Sequence, residues 1–205
     1  MKKAIFLDRD GVINRRPPEG LYVTRWEDFH ILPGVVEAIA VLNRAGLSVI
    51  VVTNQRCVAK GLMTAAQLEE MHKRMTDSLA REGATVDATY YCPHEVEPSC
   101  DCRKPAPGML LKAARSRGIE LSASWMIGDS DIDIEAGRNA GCKTARLLGT
   151  GEIFDETRFS IAGLSAPDIV ASSLLDVVHQ ILRREEGHTN SPMASLAPTF
   201  SEEPR

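Results

Sequence analysis

Two carboxylates, two residues apart, follow the first apolar run of this sequence. Asp8 and Asp10 come directly after the run 4–7, which is typical of a buried strand in a parallel sheet, and Gly11 then permits a tight turn. Because side chains two apart on a strand point the same way, both carboxylates can serve one site. One aspartate can attack phosphorus and form an aspartyl-phosphate, while the second protonates the leaving alcohol and later activates water. Aspartate-rich surface turns give the same pattern, so this fragment alone leaves a structural role open.

Three further polar side chains, those of Thr53, Lys104 and Asp129, are expected at the same edge of the sheet. A lysine and a hydroxyl there could hold a transferring phosphoryl group, where negative charge builds up. Carboxylate oxygens such as those of Asp129 are the hard ligands that Mg²⁺ prefers. Each residue also has a structural alternative. The hydroxyl of Thr53 could cap a turn, Lys104 could be a solvated surface lysine, and Asp129 could be a helix N-cap.

A second constellation consists of Cys92, His94, Cys100 and Cys102. Three thiolates and one imidazole can form a closed tetrahedral Zn²⁺ site, and the residues between them have little with which to form a core. Buried free thiols or a redox pair are the alternatives, but a cluster this dense that includes a histidine favours zinc. Because protein ligands fill all four positions, the predicted role of the zinc is structural. The isolated histidines, His72 among them, are expected at the surface or satisfied in the core.

Composition and length limit the classes of protein to consider. The 205 residues are 43% hydrophobic and 25% charged, as in an ordinary globular domain, and suffice for a single large core. The net charge of −4 argues against nucleic acid as the main partner. The apolar run before Asp8 is too short for a signal peptide, and no run approaches a membrane span. We therefore expect a cytoplasmic protein with no membrane partner, most simply a monomer.

The pattern of apolar residues predicts the elements that must position these side chains. Predicted strands alternate with helices along the chain, which indicates an α/β fold: a Rossmann-like parallel sheet with helices on both faces. One domain is predicted over residues 1–186, and the Ser-, Pro- and Glu-rich segment 187–205 is predicted to be a disordered tail. The predicted strands span 4–7, 48–52, 87–91, 124–127, 143–147 and 168–170, and the predicted helices 35–45, 65–82, 109–117, 132–140 and 173–184.

Four motifs, in this order, make the chain resemble the haloacid dehalogenase-like phosphatases. They begin at Asp8, Thr53, Lys104 and Gly128 and read DRDGV, TNQ, KP and GDSDID. The segments LPG at 32–34 and CRKPAPGM at 102–109, with the cysteine cluster, narrow the resemblance to one branch. That branch contains D-glycero-D-manno-heptose 1,7-bisphosphate 7-phosphatases and histidinol-phosphate phosphatases. The resemblance implies that the chain has no large cap domain and that short loops, including the zinc-binding loop, shape the pocket instead.

The resemblance implies a role for each acidic residue of the motifs. Asp8 is implied as the nucleophile and Asp10 as the general acid and base. Mg²⁺ is expected to be held by Asp8, by the backbone carbonyl of Asp10 and by Asp129, with Asp133 supporting these ligands from the next coordination sphere. Thr53 and Lys104 are expected to stabilise the phosphoryl group.

The same resemblance implies contacts with the rest of the substrate. Arg103 is expected to contact its remote part. Two positions depart from the common pattern, since Ser130 stands where the family often has a lysine and Arg56-Cys57 where many members have Ser-Gly. These departures bear on the substrate and leave the chemistry intact. The predicted substrate-binding residues are Arg16, Asn54, Gln55, Arg56, Arg103 and Ser130.

The expected activity is therefore Mg²⁺-dependent hydrolysis of a small phosphorylated sugar through an aspartyl-phosphate. Within the branch, the favoured reaction is removal of the 7-phosphate of heptose 1,7-bisphosphate, with histidinol phosphate as the alternative substrate. A hypothesis of a different class is a non-enzymatic module that binds a partner through its zinc loop. That hypothesis requires the carboxylates at the strand ends to be incidental.

Overall fold

The computed structural model describes residues 2–97, 99–149, 151–155, 157 and 166–189, with side chains up to Glu185. Within these residues, six parallel strands form one sheet in the order β3-β2-β1-β4-β5-β6. The fold class predicted from the sequence is confirmed. The strands are β1 (Ala4–Leu7), β2 (Ser48–Asn54), β3 (Ala88–Cys92), β4 (Trp125–Gly128), β5 (Lys143–Leu147) and β6 (Ile169–Ala171).

Helices cover both faces of the sheet and produce two buried apolar cores. One core joins alternate residues of β1, such as Ile5 and Leu7, to three of the helices, and the other joins Ala4 and Phe6 to the remaining two. Strands buried on both faces read as continuous apolar runs, which is why β1 has no polar residue. The helices are α1 (Val35–Arg44), α2 (Ala65–Arg81), α3 (Gly108–Arg117), α4 (Asp131–Ala140) and α5 (Leu174–Thr189). Helices α1, α2 and α5 pack on the first face, and α3 and α4 on the second.

The strand order reverses at β1, the central strand. The chain builds β2 and β3 on one side of β1 and then crosses to place β4, β5 and β6 on the other. In sheets of this kind, ligands bind in the crevice outside the carboxyl ends of the strands, at the point where the order reverses. The topology therefore directs attention to the segments that follow β1, β2 and β4.

Most predicted boundaries agree with the structure to within two residues. Thr64 caps α2 as expected: its side chain accepts from the Gln67 backbone, and the Gln67 side chain accepts from the Thr64 backbone. The last helix runs to Thr189, beyond its predicted end at Arg184. Residues 187–189, predicted as the start of a disordered tail, thus belong to this helix, and the rest of the predicted tail, from 190 onward, lies outside the described residues. Among the described residues, no helix is both long and apolar enough to span a membrane.

Candidate active site

The register of the central strands places the predicted catalytic side chains side by side. Leu7 of β1 pairs with Val51 of β2 and with Ile127 of β4. The residues just beyond these three positions, Asp8, Thr53 and Asp129, therefore emerge together at the carboxyl edge of the sheet. This proximity follows from strand pairing, which fixes the backbone of all three segments.

Lys104 lies at the centre of the site with its ammonium group fully buried. Its Nζ lies 2.7 Å from Asp8 Oδ1 and 2.6 Å from Asp133 Oδ1, and it donates to the carbonyl oxygen of Val52 at 2.9 Å. Burial alone would lower the pKa of Lys104, but the charges of Asp133 and Asp8 outweigh that effect and raise it. The lysine is therefore a fixed positive charge beside Asp8, suited to an anionic group that approaches this carboxylate.

Three carboxylates converge beside this lysine. Oxygens of Asp8, Asp129 and Asp133 lie within 4.8 Å of one another. Burial raises the pKa of Asp8, against the opposing charge of Lys104, and it raises the pKa of Asp129 to about 6. Carboxylates that repel one another in a buried site fit a hard divalent cation, which neutralises them and accepts oxygen ligands. The donor set therefore suits a metal such as Mg²⁺.

Two glycines allow the carboxylates to come so close to the backbone. A Cβ atom on Gly11 would lie 1.8 Å from Asp129 Oδ2, and one on Gly128 would lie 2.1 Å from the Cβ of Asp133. Gly11 also has a φ of 95°, which side chains rarely tolerate. The glycines of the DRDGV and GDSDID motifs are thus needed because the site has no room for a side chain at either position.

Asp10 is surrounded by hydrogen-bond donors. Arg9 Nη2 donates to both of its carboxylate oxygens, Asn14 Nδ2 donates to Oδ1 at 2.9 Å, and Gln55 Nε2 donates to Oδ2 at 2.8 Å. Burial would raise the pKa of Asp10, but the charge of Arg9 and these hydrogen bonds lower it. Arg9 and Asn14 were not predicted from the sequence, and both are fully buried.

Gln55 and Asn54 support the site from the end of β2. Gln55 is buried and donates to Thr53 Oγ1 at 2.9 Å as well as to Asp10. The Asn54 side chain makes two hydrogen bonds of 3.0 Å with the backbone N–H and carbonyl of Lys104. Both amides thus fix catalytic candidates in place, a role that the sequence analysis did not assign to them.

A cavity of about 260 Å³ opens over the carboxylates, between the loop 16–22 and the start of α4. Ser130 lies at this wall, where it caps α4 and donates to Asp133 Oδ2 at 2.5 Å. Of the predicted residues, those that line the cavity are Asp8, Asp10, Arg16, Thr53, Asn54, Lys104, Asp129, Ser130 and Asp133.

Three predicted substrate-binding residues are absent from the described lining of this cavity. Gln55 is buried beneath it. Arg56 forms an ion pair with Glu95, and Arg103 Nη1 donates to the His94 carbonyl at 3.4 Å. Arg16, in contrast, lines the cavity, and its Nη1 lies 3.0 Å from Asp129 Oδ2. Among the described residues, Arg16 and Lys104 are therefore the cations that line this cavity.

The cysteine cluster begins at Cys92, the last residue of β3, and ends at Cys102, directly before Arg103 and Lys104. The Sγ atoms of Cys92 and Cys100 lie 3.6 Å apart, those of Cys100 and Cys102 3.5 Å apart, and His94 Nδ1 lies 3.2 Å from Cys102 Sγ. A tetrahedron with Zn–S bonds of about 2.3 Å has edges of roughly 3.8 Å. Four soft donors at this spacing fit one four-coordinate metal ion. Cys57 and Cys142 are buried thiols that do not belong to this cluster.

Comparisons with known proteins agree with this geometry. A family model described as HAD-hydrolase-like matches residues 101–177. The chain is 41% identical to a D-glycero-β-D-manno-heptose-1,7-bisphosphate 7-phosphatase of Pseudomonas aeruginosa, over 74% of this chain and 83% of that protein. It is 39% identical to the protein of the same name from Escherichia coli K12, over 89% of this chain and 95% of that protein.

A solved structure extends the similarity to three dimensions. The D,D-heptose 1,7-bisphosphate phosphatase from B. bronchiseptica, complexed with magnesium and phosphate, superposes with a TM-score of 0.76 at 36% identity. The match covers 89% of this chain and 99% of that chain. The parallel sheet and the buried Asp8–Lys104 pair agree with these relatives. The chain belongs to the haloacid dehalogenase-like phosphatases and is a phosphoric monoester hydrolase.

Proposed function

We propose that this protein removes the 7-phosphate of D-glycero-D-manno-heptose 1,7-bisphosphate. The observation that carries the proposal is the buried pairing of Asp8 with Lys104 under a small cavity, in a chain about 40% identical to phosphatases named for this substrate. Histidinol phosphate, the substrate of the sister group in the branch, remains the competing candidate that experiments must exclude.

Asp8 acts as the nucleophile in the proposed reaction. Its carboxylate oxygen forms a bond to the 7-phosphorus while the bond from phosphorus to the sugar oxygen breaks, which leaves an aspartyl-phosphate. Asp10 gives a proton to the departing sugar oxygen, then takes one from the water that hydrolyses the aspartyl-phosphate. Lys104 and Thr53 stabilise the phosphoryl oxygens, where negative charge develops.

Mg²⁺ completes the proposed site. The side chains of Asp8 and Asp129 and the backbone carbonyl of Asp10 would hold the ion, with Asp133 supporting both Lys104 and the ligand set. When bound, the ion supplies positive charge that partly neutralises the phosphoryl oxygens. The three convergent carboxylates are the feature of this chain that supports its binding.

The second phosphate of the substrate needs a cation outside the catalytic centre. Arg16 lines the cavity, and Arg103 directly follows Cys102, the last residue of the cysteine cluster. Arginine can hold a phosphate through paired hydrogen bonds, whereas the cationic amine of histidinol phosphate would be repelled. We therefore propose Arg16 and Arg103 as the contacts of the remote phosphate, with Asn54 and Ser130 at the cavity wall.

We further propose that the cysteine cluster holds a structural Zn²⁺ ion. Because all four donors come from the protein, the ion has no open position for chemistry. Its role would be to fix the loop that carries Arg103 and Lys104. Elemental analysis of protein purified without chelators should find about one zinc per chain, as four ligands at one tetrahedral site require. Protein that is folded, active and free of zinc would contradict this role.

Steady-state kinetics with Mg²⁺ test the catalytic proposal. Asp8→Asn should abolish turnover, because an amide does not attack phosphorus. Asp10→Asn should lower the rate by on the order of 10²–10⁴-fold, because proton transfer is lost. An Asp8→Asn protein with near-normal rates would exclude the aspartyl-phosphate mechanism.

The substrate is tested separately. Wild-type protein should have a higher kcat/KM for either anomer of heptose 1,7-bisphosphate than for histidinol phosphate. Arg16→Ala and Arg103→Ala should each weaken hydrolysis of the bisphosphate more than that of a small monophosphate ester, because they remove remote binding energy. A preference for histidinol phosphate, or equal losses on both esters in both variants, would overturn the substrate assignment and leave the phosphatase mechanism intact.

A further inference from the structure

The residue between the two motif aspartates, Arg9, points to the opposite side of the strand from the catalytic cavity. It continues the alternation of Ile5 and Leu7 toward the core beneath α2, and its side chain is fully buried. Its guanidinium carbon lies 5.6 Å from the centre of the Phe29 ring, and Nη1 lies 4.0 Å from Met71 Sδ. An arginine in these surroundings must have its charge and its N–H groups satisfied by a small number of partners.

The guanidinium joins Asp10 to a histidine on α2. Nη2 donates to the two carboxylate oxygens of Asp10 at 3.0 and 2.9 Å, and Nη1 lies 3.2 Å from His72 Nε2. Because a guanidinium has only N–H donors, His72 must accept through Nε2 and carry its proton on Nδ1. A protonated imidazole could not accept this bond.

The surroundings of His72 keep its ring neutral. Burial lowers its pKa to about 3, and the positive charge of Arg9 acts in the same direction. Only 5% of the residue is exposed, and its ring centre lies 5.7 Å from that of Tyr91. His72 is thus a permanent hydrogen-bond acceptor for Arg9 at neutral pH.

Stability alone gives little reason for this arrangement. Removing a buried ion pair in favour of apolar side chains is often neutral or stabilising, because both charges must be desolvated. What the pair does supply is orientation: the planar guanidinium bonds both oxygens of Asp10, and a fixed guanidinium therefore fixes the carboxyl plane. A carboxyl group that transfers protons depends on such orientation.

We propose that Arg9 and His72 are positioning residues for Asp10, with His72 holding the guanidinium that orients the proton-transferring carboxyl group. The inference rests on the proposed function, in which Asp10 protonates the leaving oxygen. As the bond from phosphorus to oxygen breaks, its electron pair stays on the sugar oxygen, and the proton of Asp10 moves to that oxygen. His72 touches neither substrate nor phosphorus and acts only through Arg9.

Two amide substitutions at His72 distinguish loss of the hydrogen bond with Arg9 from a general change in packing. In His72→Gln, the side-chain amide occupies the place of Nε2, and its oxygen can accept from Arg9. In His72→Asn, the amide is one carbon shorter, occupies the place of Nδ1 and cannot reach. Met75→Ala, a buried change one turn further along α2, serves as the control for a general loss of stability.

The readout is the ratio of kcat/KM for heptose 1,7-bisphosphate to that for p-nitrophenyl phosphate. The sugar alkoxide leaves only with a proton from Asp10, whereas p-nitrophenolate is stable without one. His72→Asn should lower the ratio by about 10-fold or more, a part of the usual contribution of general acid catalysis. His72→Gln should return the ratio to near the wild-type value, and Met75→Ala should leave it unchanged.

Each other outcome overturns the inference. An unchanged ratio in His72→Asn would show that the histidine does not orient Asp10. A ratio in His72→Gln as low as that in His72→Asn would show that the hydrogen bond accepted from Arg9 does not matter. If His72→Asn does not fold, the ratio in His72→Gln decides: a value about 10-fold below wild type contradicts the inference. A wild type inactive on both esters would instead contradict the proposed function.

Discussion

His72 should make the stability of this protein depend on pH, in a way that one substitution removes. Its imidazole is neutral in the fold because burial and the adjacent Arg9 lower its pKa to about 3. In the unfolded chain the same ring has an ordinary pKa of about 6.5. Between these values the unfolded state binds one proton that the folded state does not, so stability rises with pH across this window.

The size of the effect follows from the two pKa values. Above pH 6.5 neither state is protonated and His72 contributes no pH dependence. At pH 5 the ring is protonated only in the unfolded chain. Because pH 5 lies 1.5 units below the unfolded pKa, this protonation lowers the free energy of unfolding by about 2 kcal/mol. The free energy of unfolding thus decreases as the pH falls from about 6.5 toward 3. Because the ring is buried, solvent screening does little to reduce this effect.

Urea denaturation of wild type and His72→Gln at pH 8 and pH 5 measures the effect. The free energy of unfolding of both proteins will change with pH, since other groups titrate in both. The difference between them should shift by about 2 kcal/mol in favour of the glutamine variant at pH 5, because only wild type must exclude the proton of His72. A difference that stays the same at the two pH values would show that His72 is protonated in the fold, and it would also refute the assigned hydrogen bond to Arg9.

Three further substitutions test the packing of the site. Lys104→Met should lower kcat by about 10²-fold or more, measured with Mg²⁺ present, because it removes a fixed charge beside Asp8, the proposed nucleophile. Gly128→Ala should lower the melting temperature and the free energy of unfolding by about 1–3 kcal/mol, since its Cβ would lie 2.1 Å from the Cβ of Asp133. Asn54→Ala should cost about 1–2 kcal/mol in urea denaturation and reduce kcat for p-nitrophenyl phosphate, because two hydrogen bonds to the Lys104 backbone are lost. Unchanged kcat in Lys104→Met or Asn54→Ala, or an unchanged melting temperature in Gly128→Ala, would contradict the geometry.

The sheet and the position of the site were predictable because local signals and backbone register determine them. The apolar run at β1 requires burial on both faces, and glycines such as Gly118 and Gly141 end helices in a conformation that few other residues adopt. Once strands are parallel, their carboxyl ends lie along one edge. Asp8 and Asp129 then become neighbours although 120 residues separate them.

The partners of buried side chains were not predictable in the same way. Arg9 and His72 lie 63 positions apart in the sequence, and their contact depends on how α2 crosses the sheet. One signal was present: Arg9 alternates with Asp8 and Asp10 after a buried strand, so its side chain must enter the core, where a charge requires partners. The sequence can show that such a partner exists, but tertiary packing determines which residue it is.

Substrate contacts are the least predictable, and the arginines show why. Arg16, Arg56 and Arg103 all lie outside the helices and strands, so the register of the sheet does not position their side chains. Arg56 pairs with Glu95, while Arg16 reaches Asp129 across the cavity. Because the arginine side chain is long, each of these residues can pair with more than one anion, and a phosphate group is such an anion. Paired strands thus position the catalytic candidates, whereas the proposed recognition of the second phosphate relies on side chains of loops.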